Sequence, residues 1–221
     1  MKAFCITLYG HPYSETVAER CVRTARDIGK IEVEYFEAVS RRYALEVLSN
    51  YGLRWTWGDN RVLQHHPYGG SLETRVGCAM SHFLLWDKCA QLDEPILILE
   101  HDAVFVREFP EFEFNGICQI NDPDGATRRG RWWHEQMVRR GTHGVHAKTW
   151  VTDDKRIPDG LAGNSAYVIK PHAARALIEK VNEIGLWPND AIMCAQFFEL
   201  QELFPFVTVV QQGQSTTNAA A

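Results

Sequence analysis

The sequence predicts an α/β fold, a mostly parallel sheet flanked by helices, and three observations predict it. A short apolar run, a helical pattern and an alternating run follow one another at the N-terminus, which is a β-α-β opening with parallel strands. Ile96-Leu97-Ile98-Leu99 is wholly apolar, as expected of a central strand covered on both faces. Ala166-Tyr167-Val168-Ile169 reads as another strand and runs into Pro171, a residue suited to the first turn of a helix.

Taken in order, Ala3 to Tyr9 is short and partly β-branched and ends at Gly10-His11-Pro12, so it reads as a buried strand entering a loop. Ser14 or Thr16 is placed to cap the next helix, whose Val17, Cys21, Val22, Ala25 and Ile28 share one face, and Gly29 suits its end. Ile31 to Phe36 alternates like a second strand. Gly58 to Ser71 is loop-like. Val76 to Leu92 carries Met80, Phe83, Leu84 and Trp86 at helical spacing, a mostly buried helix stopped by Pro95. Residues 110–160 show little periodicity and read as an irregular insertion or a set of active-site loops. A helix is expected from Pro171 to Val181, another from Asp190 to Leu203, and a last strand from Phe206 to Val210. The polar tail 211–221 reads as flexible, and the whole of 1–221 as one domain.

Composition excludes several classes. Hydrophobic residues make up 45% of the 221, too many for a disordered chain. A net charge of −5 argues against a generally basic nucleic-acid binder while leaving room for a local basic patch. The apolar start is too short for a signal peptide, and no run approaches the roughly 20 apolar residues of a membrane span. Six scattered cysteines without a CxxC pair read as reduced, buried thiols. A soluble, cytoplasmic protein is therefore expected.

The triplet Glu100-His101-Asp102 closes the apolar strand at its carboxyl end, where open α/β sheets place ligands. Two carboxylates so spaced can hold one hard divalent ion and leave positions open for a diphosphate. The competing reading is of two solvated acids at a strand end. His65, His66, His134, His143 and His146 lack a tetrahedral zinc spacing and read as loop histidines. Arg128-Arg129-Gly130-Arg131-Trp132-Trp133, continuing to Arg139-Arg140, concentrates cations and aromatics in an otherwise acidic chain. It is read as a solvated loop, a glycan or diphosphate subsite, or a DNA-contacting patch.

Arg75-Val76-Gly77-Cys78-Ala79-Met80-Ser81-His82-Phe83-Leu84-Leu85-Trp86, followed by the apolar strand and the acidic triplet, resembles glycosyltransferase family 25, which includes lipopolysaccharide sugar transferases and collagen galactosyltransferases. Gly163 to Ala174 and Pro188-Asn189-Asp190 resemble later elements of that family. The middle acid of the family's Glu-Asp-Asp is His101 here, and 110–160 has no counterpart. The resemblance implies a GT-A-like fold, a nucleotide-diphosphate sugar donor and a Mn²⁺ or Mg²⁺ ion. It makes Asp102 the leading metal ligand, with Glu100 touching the ribose, the sugar or the ion through water. Thr7, Leu8 and Tyr9 would receive the nucleoside. Asp190 would be the base of an inverting transferase, or an N-cap, or both. Ser81 and His82 diverge by about 100° on one helix and lack an acid partner, so a hydrolase dyad is rejected. They are placed at the donor side, with His82 as a core histidine the alternative. Two acceptors fit: a cell-envelope glycan, and phage DNA carrying 5-hydroxymethylcytosine, gripped by Arg128, Arg129, Arg131, Trp132 and Trp133. The second would put the protein in the host cytoplasm. A non-catalytic nucleotide- or carbohydrate-binding relative is the third reading.

Overall fold

The computed structural model describes residues 1–65, 70–123, 143–148, 154–161 and 163–211. Seven strands form one sheet in the order β2-β1-β3-β7-β5-β8-β6: β1 (Lys2–Thr7), β2 (Glu34–Glu37), β3 (Ile96–Glu100), β5 (Ile117–Gln119), β6 (Gly144–Ala147), β7 (Ala166–Ile169) and β8 (Leu200–Phe204). β2, β1 and β3 run parallel, as do β5 and β8, whereas β7 and β6 oppose their neighbours. Five of the seven strands thus point one way, the α/β class expected. β4 (Ala103–Phe105) pairs with β9 (Thr208–Val210) in a separate ribbon.

Helices cover both faces, and the apolar strands divide their residues between them. Ile96 and Ile98 of β3, with Tyr167 and Ile169 of β7, pack toward α3 (Leu72–Leu92) and α4 (Pro171–Ile184). Leu97, Leu99, Ala166 and Val168 pack on the other face, against α1 (Pro12–Thr24). That is why neither strand alternates in sequence. A short helix α2 (Ala44–Asn50) lies along α3.

Several boundaries differ from those expected. His11, not Ser14 or Thr16, caps α1 by accepting the Ser14 N–H at its Nδ1. Gly29 closes a π-helical turn (Ala25–Gly29), and Lys30 takes the left-handed cap. The stretch 110–160 is not wholly insertion, because β5 and β6 lie within it and enter the main sheet. The expected 190–203 helix is helical only as far as Ile192, in α5 (Asn189–Ile192). Non-local pairing wins beyond it, since Leu200–Phe204 finds β5 on one side and β6 on the other. The six cysteines are free and all but Cys78 are buried. No helix among the described residues is long and apolar enough to cross a membrane.

Candidate active site

The carboxyl ends of β1, β2 and β3 lie side by side at Thr7, Glu37 and Glu100, with Ile6 in register with Glu100. This edge of a parallel sheet is where loops gather functional groups. The site is built here by one stretch of α3 and by the turn after β3.

Gly77, Cys78, Ser81, His82 and Trp86 act as neighbours along α3 because residues four apart share a helix face. Gly77 and Ser81 face the loop after β2. A Cβ on Gly77 would lie 2.5 Å from the Val39 carbonyl oxygen, so only glycine permits this approach. One turn later Ser81 Oγ accepts the Val39 N–H at 2.9 Å and donates to the Gly77 carbonyl at 2.8 Å. The Ser81 hydroxyl is thereby used inside the fold and holds the wall of a cleft. That cleft, about 490 Å³, is lined by Leu8, Tyr9, Glu37, Ala38, Val39, Ser40, Tyr43, Glu46 and Val47. Gly77→Ala is expected to lower stability by roughly 2–4 kcal/mol and to weaken whatever the cleft holds, because overpacking here displaces backbone. Urea denaturation checks the first effect and ligand titration the second.

Cys78 and His82 face the acids. His82 is buried; its Nε2 lies 3.2 Å from Glu100 Oε1 and its Nδ1 3.0 Å from the Tyr167 hydroxyl, which also accepts the Trp86 indole N–H at 2.8 Å. The Cys78 thiol donates to Asn189 Oδ1 at 3.8 Å. Burial and then the charges of Glu100, Asp190 and Asp102 push that thiol well above its ordinary pKa.

Asp102 occupies the turn between β3 and β4, and the Gln211 N–H donates to its carbonyl at 2.8 Å. Its side chain is largely buried, and Oδ1 has no hydrogen-bond partner. Burial and then the Glu100 charge raise its pKa to about 7, opposed in part by Ser165. Two carboxylates that cannot comfortably ionise together, one with a bare buried oxygen, form a donor set that suits a hard divalent cation. The neighbouring Asn164 is also buried with both amide atoms unpartnered. His101 faces the opposite way: its Nδ1 lies 3.0 Å from Ser14 Oγ, which accepts the Leu8 N–H at 3.0 Å. Burial lowers the His101 pKa, and the ring braces α1 against the triplet instead of joining the acids.

Thr7 is buried, with Oγ1 donating to the Cys5 carbonyl and its own carbonyl accepting the Ala38 N–H. Leu8 and Tyr9 are the part of that segment that lines the cleft. Asp190 sits in the first turn of α5, whose cap position is Pro188, so the N-cap alternative is not realised. Arg128, Arg129, Arg131, Trp132 and Trp133 lie outside the described residues, as do His66 and His134. His65 stacks on Trp57 at 4.0 Å. Tyr167 and Asn164 were not singled out in the sequence, and Trp86 was read as a packing residue of α3 and the end of the family block. A tyrosine inside a wholly buried strand was the available signal, since a buried phenol needs a partner.

Among solved structures, the galactosyltransferase LgtC in complex with donor and acceptor sugar analogs is similar at a TM-score of 0.47 and 11% identity, covering 96% of this chain and 87% of that one. Mouse xyloside xylosyltransferase 1 in its apo form is similar at 0.41 and 9%, covering 87% and 80%. No curated protein matches the sequence. The family model described as glycosyltransferase family 25 (LPS biosynthesis protein) matches residues 18–193, which takes in α3, the triplet and Asp190. The chain belongs to glycosyltransferase family 25 and is a glycosyltransferase.

Proposed function

We propose that the protein transfers a hexose or pentose from a nucleotide-diphosphate sugar to a hydroxyl of a cell-envelope glycan, with Mn²⁺ or Mg²⁺ held by Glu100 and Asp102. The observation that carries this reading is the pairing of these acids, one with an unpartnered buried oxygen, on the sheet edge that also bears the cleft. The cleft falls in the size range of small-molecule sites, and Tyr9 and Tyr43 offer aromatic faces to a nucleobase. A bound divalent ion neutralises charge that develops on the departing diphosphate. Asn164 offers a buried carboxamide to sugar hydroxyls, which satisfies atoms that are otherwise costly to bury. Asp190 is the acid available to take a proton from the acceptor hydroxyl. The acceptor class rests on the family's description as an LPS biosynthesis protein; neither the described surface nor any comparison points to DNA.

A panel of nucleotide-sugars followed by thermal shift, with and without Mn²⁺ or Mg²⁺, tests the donor and the ion together. One donor at 100 times its Kd should stabilise by about 2.7 kcal/mol, a rise of roughly 5–10 °C for a chain this size, and only with the ion present. That donor is then offered a truncated lipooligosaccharide or duplex DNA containing 5-hydroxymethylcytosine. Ion-independent binding sinks the metal reading, and transfer to DNA alone sinks the glycan acceptor.

A further inference from the structure

The hydrogen-bond chain behind Glu100 settles which way its protons point. The Tyr167 oxygen accepts the Trp86 N–H, and its own hydrogen needs an acceptor in a fully buried site. His82 Nδ1, at 3.0 Å, is the acceptor the geometry offers. Nδ1 therefore carries no hydrogen, Nε2 carries one, and Nε2 donates to Glu100 Oε1. An imidazolium, or the other tautomer, would leave the phenol hydrogen without an acceptor. We propose that Tyr167 is a positioning residue that locks His82 as an N–H donor, so that His82 aims Glu100 and is withheld from the metal ion itself.

The inference rests on the reading of Glu100 and Asp102 as an ion-holding pair. It also bears on selectivity. Cys78 Sγ, a ring nitrogen of His82 and a Glu100 oxygen lie within 4.8 Å of one another, a spacing a soft ion such as Zn²⁺ would accept. A ligating histidine must present a lone pair, and the Trp86–Tyr167 chain takes away the one His82 would need. The site is left to hard, oxygen-liganded ions.

Two measurements on the full chain test this. Long-range ¹H–¹⁵N correlation of the wild type at neutral pH should show His82 with Nε2 protonated and Nδ1 bare, the signals being assigned by their loss in His82→Gln. Titration with Mn²⁺ alone, followed by electron paramagnetic resonance of the free ion, should show about 10- to 100-fold weaker binding for His82→Ala. His82→Gln keeps a donor near the Nε2 position but offers no imidazole lone pair, and should restore most of that affinity. Tyr167→Phe should weaken Mn²⁺ binding about tenfold; if that variant fails to fold, the tautomer and the glutamine rescue still decide. An imidazolium or Nδ1–H ring in the wild type, or equal losses in both His82 variants, overturns the proposal. If the wild type binds no Mn²⁺, the metal reading of Glu100 and Asp102 fails, while the tautomer still decides the role of Tyr167.

Discussion

Replacing Asp102 by asparagine is expected to abolish sugar transfer and, at the same time, to make the metal-free chain more stable above neutral pH. The two effects have one origin. The Asp102 carboxylate is buried beside Glu100 and its pKa is raised to about 7 from an ordinary 3.8. Between those values the folded chain binds more protons at this site than the unfolded chain, so stability falls as pH rises through the window. The loss is complete above about pH 7, with an upper limit of about 4 kcal/mol, since one unit is worth about 1.4 kcal/mol. Asparagine carries no charge and escapes the loss. On the proposed metal reading it also removes an anionic ligand, so turnover should drop at least about 100-fold. Melting with a chelator at pH 5 and pH 8 checks the first claim: the variant should gain at pH 8 and gain less than half as much at pH 5. In the wild type Mn²⁺ competes with the Asp102 proton, and its apparent affinity should fall about tenfold per unit below pH 7. A variant that retains turnover, or that is equally destabilised at both pH values, sinks this account.

What the sequence made legible was local. Glu100 and Asp102 were readable because a wholly apolar run ended on them, and the run was apolar because helices cover both of its faces. The Gly77-to-Trp86 block was readable as a pattern but not as a mechanism. Ser81 was read as a donor-side group, and its hydroxyl ties Val39, on the cleft wall, to Gly77. The role of His82 depends on Tyr167, 85 residues away, through strand pairing that no local period reports. The same cause hid β5, β6 and β8. Each is short, and Leu200–Phe204 becomes a strand because β5 and β6 flank it, although its local pattern continued a helix. His101 is the reverse case. A departure from the family's acidic triplet looked like damage to a metal site, yet the ring is paired with Ser14 on α1.

Asp190→Asn should lower kcat by about 10²- to 10⁴-fold with donor affinity nearly unchanged, as expected when a general base is lost. The position of Asp190 is set from outside its own helix. Leu161 donates its N–H to the Asp190 carbonyl at 3.0 Å, and the Ala195 N–H donates to the Asp159 carbonyl at the same distance. The Asp159 side chain is fixed by Lys148 at 2.9 Å, a pair almost wholly buried. Between these contacts sits Gly160, where an added Cβ would lie 1.8 Å from the Asp190 carbonyl oxygen. Gly160→Ala therefore forces the Asp190 backbone to move, and should cost on the order of 3 kcal/mol or more while also lowering kcat. The two variants differ in a useful way: asparagine leaves the geometry and removes the carboxylate, whereas alanine at 160 leaves the carboxylate and moves it. If Asp190 takes the acceptor proton, the sugar is attacked from the face opposite the departing diphosphate, and the product's anomeric centre is inverted. Proton NMR of the first product formed reads that configuration directly. Retention, or an Asp190→Asn enzyme with full kcat, would leave Asp190 as an acid of the first helical turn and nothing more.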